Sequence, residues 1–305
     1  MTLPSSPTMT PTTTTATAFF FNGTTDGGSP SITFDKTSNL LPRISKTITV
    51  HDFRHRSPPA RLPTTKCELV PAPTNLREAN LKSPDETLKQ STIDAYYTEC
   101  EVLVQSRLPG CVRALAFHHR HREQAGPSSE DALHGVQSFA NKPVATFHVD
   151  NDSSTAERHL RRKVGDSLAD EEWLGKGKRW GIVNVWRPVG DVAYRLPLAL
   201  AVQDEDTFSS PSSSSEKVEE TMVRIETPQN YKTHFIGVRP LSEQKYKFWY
   251  ASNMTPDEAL IFMDYDSATG EISGVAHGAV EDHNTPDDAP LRRSIEVRVL
   301  VLYED

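Results

Sequence analysis

The sequence has no surplus of positive charge and no long apolar run, and each absence excludes a class of function. Its 305 residues carry 33 lysines and arginines against 41 aspartates and glutamates, a formal net charge of −8. Because nucleic-acid-binding proteins present basic surfaces, nucleic acid is not the expected partner. No stretch approaches the roughly 18 consecutive apolar residues that a membrane span needs, so we expect no membrane association.

Cysteine is scarce as well: the chain has three, Cys67, Cys100 and Cys111, at loose spacing. Such a small, odd number fits neither a disulfide framework nor a zinc motif, so we expect reduced thiols. No basic residue precedes the short apolar run at 16–21, as a secretory signal would require. The first basic residue is Lys36, which argues against a transit peptide. These features together predict a cytoplasmic protein.

Two low-complexity segments divide the chain. Residues 1–30 are rich in Thr, Ser, Pro and Gly, and such a composition predicts a flexible N-terminus. Residues 205–220 contain a serine run and predict a surface loop. We expect residues 31–305 to form a single domain.

The rest of the chain consists mainly of short segments with strand-like patterns, each bounded by turn residues. This organisation predicts a mainly β protein with flanking helices, built as a sandwich or barrel. A helical segment is expected at about 83–108, where a Ser and acidic residues precede helix-compatible apolar spacing. The β core is expected at about 111–305, with one exposed helical insertion at 153–174.

The stretch FHVDND at 147–152 is the first candidate for chemistry. Residues i and i+2 of a strand point the same way, so His148 and Asp150 could be directed at one metal ion. A non-heme iron(II) oxygenase needs two imidazoles and one carboxylate on one face of the metal. His-x-Asp is common by chance, however, and two polar residues at the end of an ordinary strand is the alternative.

The third ligand has to come from a distant strand, and His277 is the best candidate. It lies on a probable strand, with Gly274 and Gly278 flanking it. Glycines at these positions would permit the close approach of neighbouring backbone. The alternative is a histidine at the surface or in a turn.

An Arg-x-Ser arrangement follows on the last strand, where Arg292 and Ser294 share one face. A guanidinium can hold a carboxylate by two parallel hydrogen bonds, and a hydroxyl can donate a third. This pair could therefore hold the far carboxylate of a dicarboxylate such as 2-oxoglutarate. Glu296 and Arg298 continue the same alternation, and an edge strand with a solvated polar face is the alternative.

The stretch FHHRHRE at 117–123 lacks the spacing of a metal site, because consecutive histidines of a strand point to opposite faces. We interpret it as a solvated strand end. Arg120 or Arg122 could instead contact an acidic substrate. Arg122 and Arg158 would favour a small amino acid or an amino-acid-derived substrate if they line the pocket.

Taken in order along the chain, these stretches resemble the fungal hydroxylase/desaturase family of AsaB-like and CmcJ-like oxygenases, also described as gibberellin desaturase-like. The resemblance runs from about residue 48 to the C-terminus, and one departure is Arg293, where the family usually carries an acidic residue. The motifs that carry it are VHDFRHR, YYTECEVLV, FHVDND, WGIVNVWRPVGD, PLALAVQD, FWYASNMTPDEALIFMDYDS and RRSIEVRVLV.

The resemblance implies an Fe(II)- and 2-oxoglutarate-dependent dioxygenase that uses O2, on a double-stranded β-helix (a jelly-roll, cupin-like fold). It implies hydroxylation, desaturation or oxidative ring closure of a small metabolite in secondary metabolism. The metal roles fall on His148, Asp150 and His277. The predicted 2-oxoglutarate-binding residues are Arg292, Ser294, Arg298, Asn184 and Arg187.

Two other functions stay open at this point. A cupin-like metal enzyme that does not use 2-oxoglutarate would need the same three ligands, with Arg292 binding the substrate instead. A non-catalytic small-molecule-binding module on the same scaffold is possible because fold does not fix function.

Overall fold

The computed structural model describes residues 12–32, 38–124, 142–203, 222–226, 234–241, 243 and 245–304. Within these ranges two sheets form the body of the molecule. The strands are β1 (Thr13–Phe20), β2 (Ile44–Asp52), β3 (Cys67–Pro71), β4 (Cys111–Glu123), β5 (His148–Val149), β6 (Trp180–Pro188), β7 (Leu198–Gln203), β8 (Met222–Glu226), β9 (His234–Val238), β10 (Tyr246–Tyr250), β11 (Glu258–Asp266), β12 (Ala276–Ala279), β13 (Glu281–Asp282) and β14 (Arg293–Tyr303). The helices are α1 (Leu62–Thr65), α2 (Glu78–Leu81), α3 (Glu86–Arg107), α4 (Ser153–Val164) and α5 (Asp166–Leu168), with short 3-10 turns at Phe53–His55 and Gly175–Gly177 and a π-helical turn at Ala169–Leu174.

The strand order identifies the architecture. One sheet runs β13-β1-β2-β10-β7-β12-β5-β9-β8, and the other runs β3-β11-β6-β14-β4. The chain alternates between them, because β4, β6, β11 and β14 belong to the five-stranded sheet while β5, β7, β10 and β12 belong to the nine-stranded one. This alternation is that of a double-stranded β-helix, and the predicted fold class is confirmed.

Helix α3 covers one face of the five-stranded sheet. Asp85 caps its start by accepting hydrogen bonds from the backbone N–H groups of Thr87 and Leu88. Its buried residues Ile93, Tyr96, Cys100 and Val104 recur every three or four positions, so they form one face of the helix. The helix confirms the prediction for 83–108.

The residues beneath α3 are alternate members of the sheet strands, among them Val183, Val185, Val297 and Val299. Because successive side chains of a strand point to opposite faces, the residues between these valines face the space between the two sheets. Polar residues at those positions, such as Asn184 and Arg298, are thereby directed into the interior.

The prediction of a flexible N-terminus is wrong for Thr13–Phe20. These residues form β1, which pairs antiparallel with β2 from Thr13 opposite His51 to Phe20 opposite Ile44. Ala16 and Phe20 have no exposed surface, because every second residue of the strand faces the core. The Thr-rich composition conceals this period-two pattern, in which β-branched threonines alternate with apolar residues.

The nine-stranded sheet curls so that β1 returns to the neighbourhood of β5. Phe19 forms a parallel bridge with Thr146, just before β5. Inside the curl, the Phe20 and Phe147 rings stack with centroids 5.3 Å apart, and Phe147 meets Phe248 edge-on at 5.4 Å. The residue before His148 is therefore fixed in an aromatic cluster.

The insertion after β5 is helical as predicted, although it is less exposed than expected. Ala156 and Leu160 of α4 and Trp173 of the π-helical turn have no exposed surface. The surface loop predicted at 205–220 lies outside the described residues. Among the helices that are described, none has the length and apolar character needed to cross a membrane.

Candidate metal centre

His148 and Asp150 lie at the end of the short strand β5 and on its interior side. The intervening Val149 and the preceding Phe147 are fully buried in the aromatic cluster on the other side. The alternation of apolar and polar residues in FHVDND therefore separates core side chains from the two candidate ligands, as predicted from the sequence.

His277 reaches the same place from β12, where it stands opposite His148 in the antiparallel pairing. The two imidazole rings have centroids 4.4 Å apart. The flanking glycines allow this packing: a Cβ on Gly274 would lie 2.2 Å from the carbonyl oxygen of Asp264, and a Cβ on Gly278 would lie 2.9 Å from the Phe147 ring. The predicted close approach at both glycines is confirmed.

The three side chains converge on one point. Their potential ligand atoms all lie within 4.8 Å of one another. Asp150 Oδ1 is 3.5 Å from His148 Nε2, and Asp150 Oδ2 is 3.8 Å from His277 Nε2. The alternatives of a strand-end pair and a surface histidine do not fit, because His148 and His277 are buried.

Backbone carbonyls set the orientation of both imidazoles. His148 Nδ1 lies 2.8 Å from the Thr146 carbonyl oxygen, and His277 Nδ1 lies 3.0 Å from the Val275 carbonyl oxygen. A carbonyl can only accept, so each Nδ1 carries the proton and each Nε2 presents a lone pair to the centre. Burial, followed by the neighbouring His148, lowers the pKa of His277 to about 3, which keeps this imidazole neutral as a metal ligand must be.

Asp150 is held as a carboxylate by two residues of the five-stranded sheet. Arg298 Nη2 lies 2.8 Å from Oδ1, and Asn184 Nδ2 donates to Oδ2 at 3.0 Å. Burial raises the pKa of Asp150, but the Arg298 guanidinium and the two imidazoles outweigh it and hold this pKa well below its usual range. A donor set of two neutral imidazoles and one carboxylate fits Fe(II) with open coordination positions.

Behind this carboxylate lies a second buried pair that the sequence analysis missed. Asn151 Nδ2 donates to Asp264 Oδ2 at 2.5 Å, and both residues are at most 1% exposed. Burial and the nearby charge of Asp150 raise the pKa of Asp264 well above its usual range. The signal in the sequence was one acidic residue inside the apolar run ALIFM of β11, where a charge is costly unless it has partners.

Arg292 and Ser294 lie together and are buried, at the start of β14. Arg292 Nε and Nη2 each lie 3.2 Å from Ser294 Oγ, and its Nη1 donates to the Leu196 carbonyl oxygen. The guanidinium carbon stands 4.9 Å from the centre of the Trp186 ring. The predicted alternative of a solvated edge is wrong, because Arg292, Ser294 and Glu296 are each at most 6% exposed.

The charge of Arg292 has no carboxylate partner among the described residues, since its hydrogen-bond acceptors are a hydroxyl and a carbonyl. Burial and the neighbouring charge of Arg122 lower the pKa of Arg292 to about 9. A guanidinium stays protonated in proteins, so this shift marks a buried cation that an anion would stabilise. The environment fits the far carboxylate of a dicarboxylate.

Three of the predicted 2-oxoglutarate-binding residues, Arg187, Arg298 and Asn184, have other contacts. Arg187 points to the α3 side of the sheet, where its Nη1 donates to the carbonyl oxygens of Ala72 and Pro256 and its guanidinium stands over the Tyr96 ring. Arg187 therefore lies on the opposite face of β6 from Asn184, and the structure does not bring it to the other predicted co-substrate residues. Arg298 does face the interior, as do Asn184 and Ser294, but it is paired with Asp150.

Comparisons with known proteins agree with this centre. The model of the Oxidoreductase/YMDC permease-like domain family matches residues 18–302. Oxidoreductase R2 of Phoma sp. is 34% identical over 307 residues, which cover 95% of this chain and 97% of that protein. The hydroxylase/desaturase efuI of Hormonema carpetanum is 28% identical, over 94% of each chain. The alpha-ketoglutarate-dependent dioxygenase tstK of Talaromyces stipitatus is 25% identical, over 84% of each.

A solved structure of the iron- and alpha-ketoglutarate-dependent endoperoxidase NvfI superimposes with a TM-score of 0.74, over 98% of this chain and 100% of that one, at 21% identity. This likeness concerns the fold, and it agrees with the double-stranded β-helix described above. The match to the family model and the identity with R2 extend over nearly the whole chain. The chain therefore belongs to this fungal family of oxidoreductases and hydroxylase/desaturases, the family that its sequence resembles.

Proposed function

We propose that the protein is an Fe(II)- and 2-oxoglutarate-dependent dioxygenase that oxidises a C–H bond of a small metabolite. The observation that carries this proposal is the convergence of His148, Asp150 and His277, with both Nε2 atoms directed to the centre by backbone carbonyls. The names of tstK and NvfI, a dioxygenase and an endoperoxidase that depend on alpha-ketoglutarate, support the co-substrate.

In this proposal each interior residue has a defined task. His148, Asp150 and His277 would hold Fe(II), and Arg298 and Asn184 keep the Asp150 carboxylate charged and oriented. When bound, Fe(II) and 2-oxoglutarate supply oxidising power from O2 as the keto acid is converted to succinate and CO2.

Arg292 with Ser294 would hold the far carboxylate of 2-oxoglutarate. The guanidinium is already fixed by Ser294, Leu196 and Trp186, so little side-chain entropy is lost when the anion binds. Apolar side chains surround this region and exclude water from it: Trp186, Leu200, Leu260 and Phe262 are at most 2% exposed. Exclusion of water strengthens each charge contact in the site.

The direct test is an anaerobic titration of the protein with Fe(II) and then 2-oxoglutarate, followed by the visible charge-transfer band of the chelate. We expect a band in the wild type and none in His148→Ala. Once a substrate is supplied with O2, succinate formation should require 2-oxoglutarate. Metal binding without a 2-oxoglutarate band would support the cupin-like alternative, and absence of metal binding would support a non-catalytic binding module.

The biological setting is proposed from coarser support. The curated relatives above are fungal, and we propose oxidation of a small molecule of secondary metabolism, by hydroxylation, desaturation or ring closure. Product analysis distinguishes the three outcomes. A cytoplasmic location is supported by three free cysteines, of which Cys67 and Cys100 are buried.

A further inference from the structure

The edge strand β4 brings a basic segment to the candidate centre. It pairs antiparallel with β14, and residues directly opposite in such a pair project to the same face. The interior face of β14 therefore continues onto β4. The pairs concerned are His118 with Arg298, Arg120 with Glu296, and Arg122 with Ser294. Of the three β4 members, His118 and Arg122 are half-buried, whereas Arg120 is exposed, as expected for the solvated strand end predicted at residues 117–123.

Arg120 adds a positive charge to this face. Arg298 is paired with Asp150. Burial and the charge of Asp150 raise the pKa of Glu296, and the nearby charge of Arg122 opposes this shift. Arg120 has no hydrogen-bond or ion-pair partner among the described residues, and its side chain is exposed. Partial burial, then the charges of Arg298 and Arg122, lower the pKa of Arg120, while Glu296 and Asp150 act in the opposite direction.

Two neutral imidazoles lie near this part of β4. His118 lies on β4, and its Nδ1 is buried with no hydrogen-bond partner among the described residues. His159 comes from α4, the helix that follows Asp150, and its ring packs on Phe117 with centroids 5.5 Å apart. Burial, followed by the charge of Arg298, lowers the pKa of His118 to about 3 and that of His159 to about 4. Both rings can therefore donate a hydrogen bond without adding charge.

The position along the strand suits a substrate group. Arg120 stands opposite Glu296, two residues from Arg298, which contacts Asp150. Two residues of a strand span about 7 Å, so an anion at Arg120 would lie a few bonds away from a C–H group at the metal. Arg292, where the co-substrate is proposed to bind, lies four residues before Glu296 in the sequence. Its guanidinium stands over Trp186 of β6, and β6 and β4 flank β14 on opposite sides.

We infer that Arg120, with His118 two residues away on the same face, binds a carboxylate of the substrate, so that the substrate class is an organic acid. This inference rests on the proposed function, which leaves Arg292 to the co-substrate and Arg298 to Asp150. A bound carboxylate would supply the negatively charged partner that the Arg120 guanidinium lacks among the described residues. A charged carboxylate also makes stronger hydrogen bonds than the corresponding neutral amide.

The test uses the anaerobic complex of full-length protein with Fe(II) and 2-oxoglutarate. Matched probes, 3-phenylpropionate and octanoate against their primary amides, are titrated while the shift of the charge-transfer band is recorded. We expect the acids to bind at least about tenfold more tightly than the amides, as a charge-assisted contact predicts. Arg120→Gln should abolish this preference, and Arg120→Lys should retain part of it.

Lys163→Gln is the matched control, because it removes one exposed positive charge from α4 and should leave the preference intact. Equal binding of acids and amides by the wild type would overturn the inference, as would a preference that survives in Arg120→Gln or the absence of any shift with all four probes. Failure of the charge-transfer band to form at all would instead refute the proposed function, so the two failures are distinguishable.

Discussion

The ion pair between Arg298 and Asp150 gives the sharpest prediction. Arg298 Nη2 lies 2.8 Å from Asp150 Oδ1, and the two side chains are 14% and 9% exposed. The substitution Arg298→Met keeps an unbranched apolar chain and removes the guanidinium. Without it, in the absence of metal, the Asp150 carboxylate is left buried beside two imidazoles.

The expected cost follows from the burial of this pair. Removing one partner of a buried ion pair destabilises a protein by about 3–5 kcal/mol, because the other charge loses its compensation. With a shift of about 2 °C per kcal/mol for a chain of this size, the metal-free variant should melt roughly 6–10 °C below the wild type. A divalent cation at the centre supplies the missing positive charge, so part of this difference should disappear when metal is bound.

The assay is thermal unfolding followed by circular dichroism, with and without saturating Mn(II) as a redox-inert probe. We expect Mn(II) to raise the melting temperature of Arg298→Met more than that of the wild type. In an Asp150→Asn background, Arg298→Met should cost much less. Lys163→Met serves as the surface control. A metal-free variant as stable as the wild type, or one whose deficit is unchanged by Mn(II), would refute the assignment of Arg298 to Asp150.

Three further substitutions test separate parts of the centre. His148→Ala should abolish stoichiometric Fe(II) binding and 2-oxoglutarate-dependent succinate formation, which metal analysis and a succinate assay would measure. His55 is exposed, so His55→Ala is the control and should retain both properties. Gly274→Ala places a Cβ 2.2 Å from the Asp264 carbonyl oxygen. We expect the free energy of unfolding, measured in urea, to fall by about 1–3 kcal/mol and metal binding to weaken. A variant as stable as the wild type would contradict the packing. Asp152→Ala removes the side-chain oxygen that accepts a hydrogen bond from a backbone N–H of α4 at 2.8 Å. It should lower the free energy of unfolding by about 1–2 kcal/mol in the same measurement, and an unchanged stability would contradict the capping role of Asp152.

The sequence was sufficient for the features that depend on local periodicity. His148 and Asp150 could be placed on one side of β5 because a strand alternates its side chains, and the glycines beside His277 indicated close backbone approach. The same reasoning found the Arg292–Ser294 pair. In each case the residues that matter lie within three positions of one another in the sequence.

The features that sequence reasoning missed depend on register between distant strands. The sequence could not show that Arg187 lies on the α3 side of β6, because burial on both faces of this strand removes the alternation of apolar and polar residues. The partnership of Arg298 with Asp150 joins β14 of one sheet to the end of β5 in the other, so it depends on how the two sheets face each other. Asp264 could be noticed as an acidic residue in an apolar strand, but its partner Asn151 is 113 positions away.

The incorporation of β1 into the curled sheet has a practical consequence. The first thirty residues look dispensable by composition, so trimming them would be a natural choice for expression or crystallisation. Removal of Thr13–Phe20 would uncover the Phe147 ring, next to His148, and leave β2 without a neighbour on one edge. A shortened protein of that kind should aggregate or lose iron, and such a defect would say nothing about its catalytic competence.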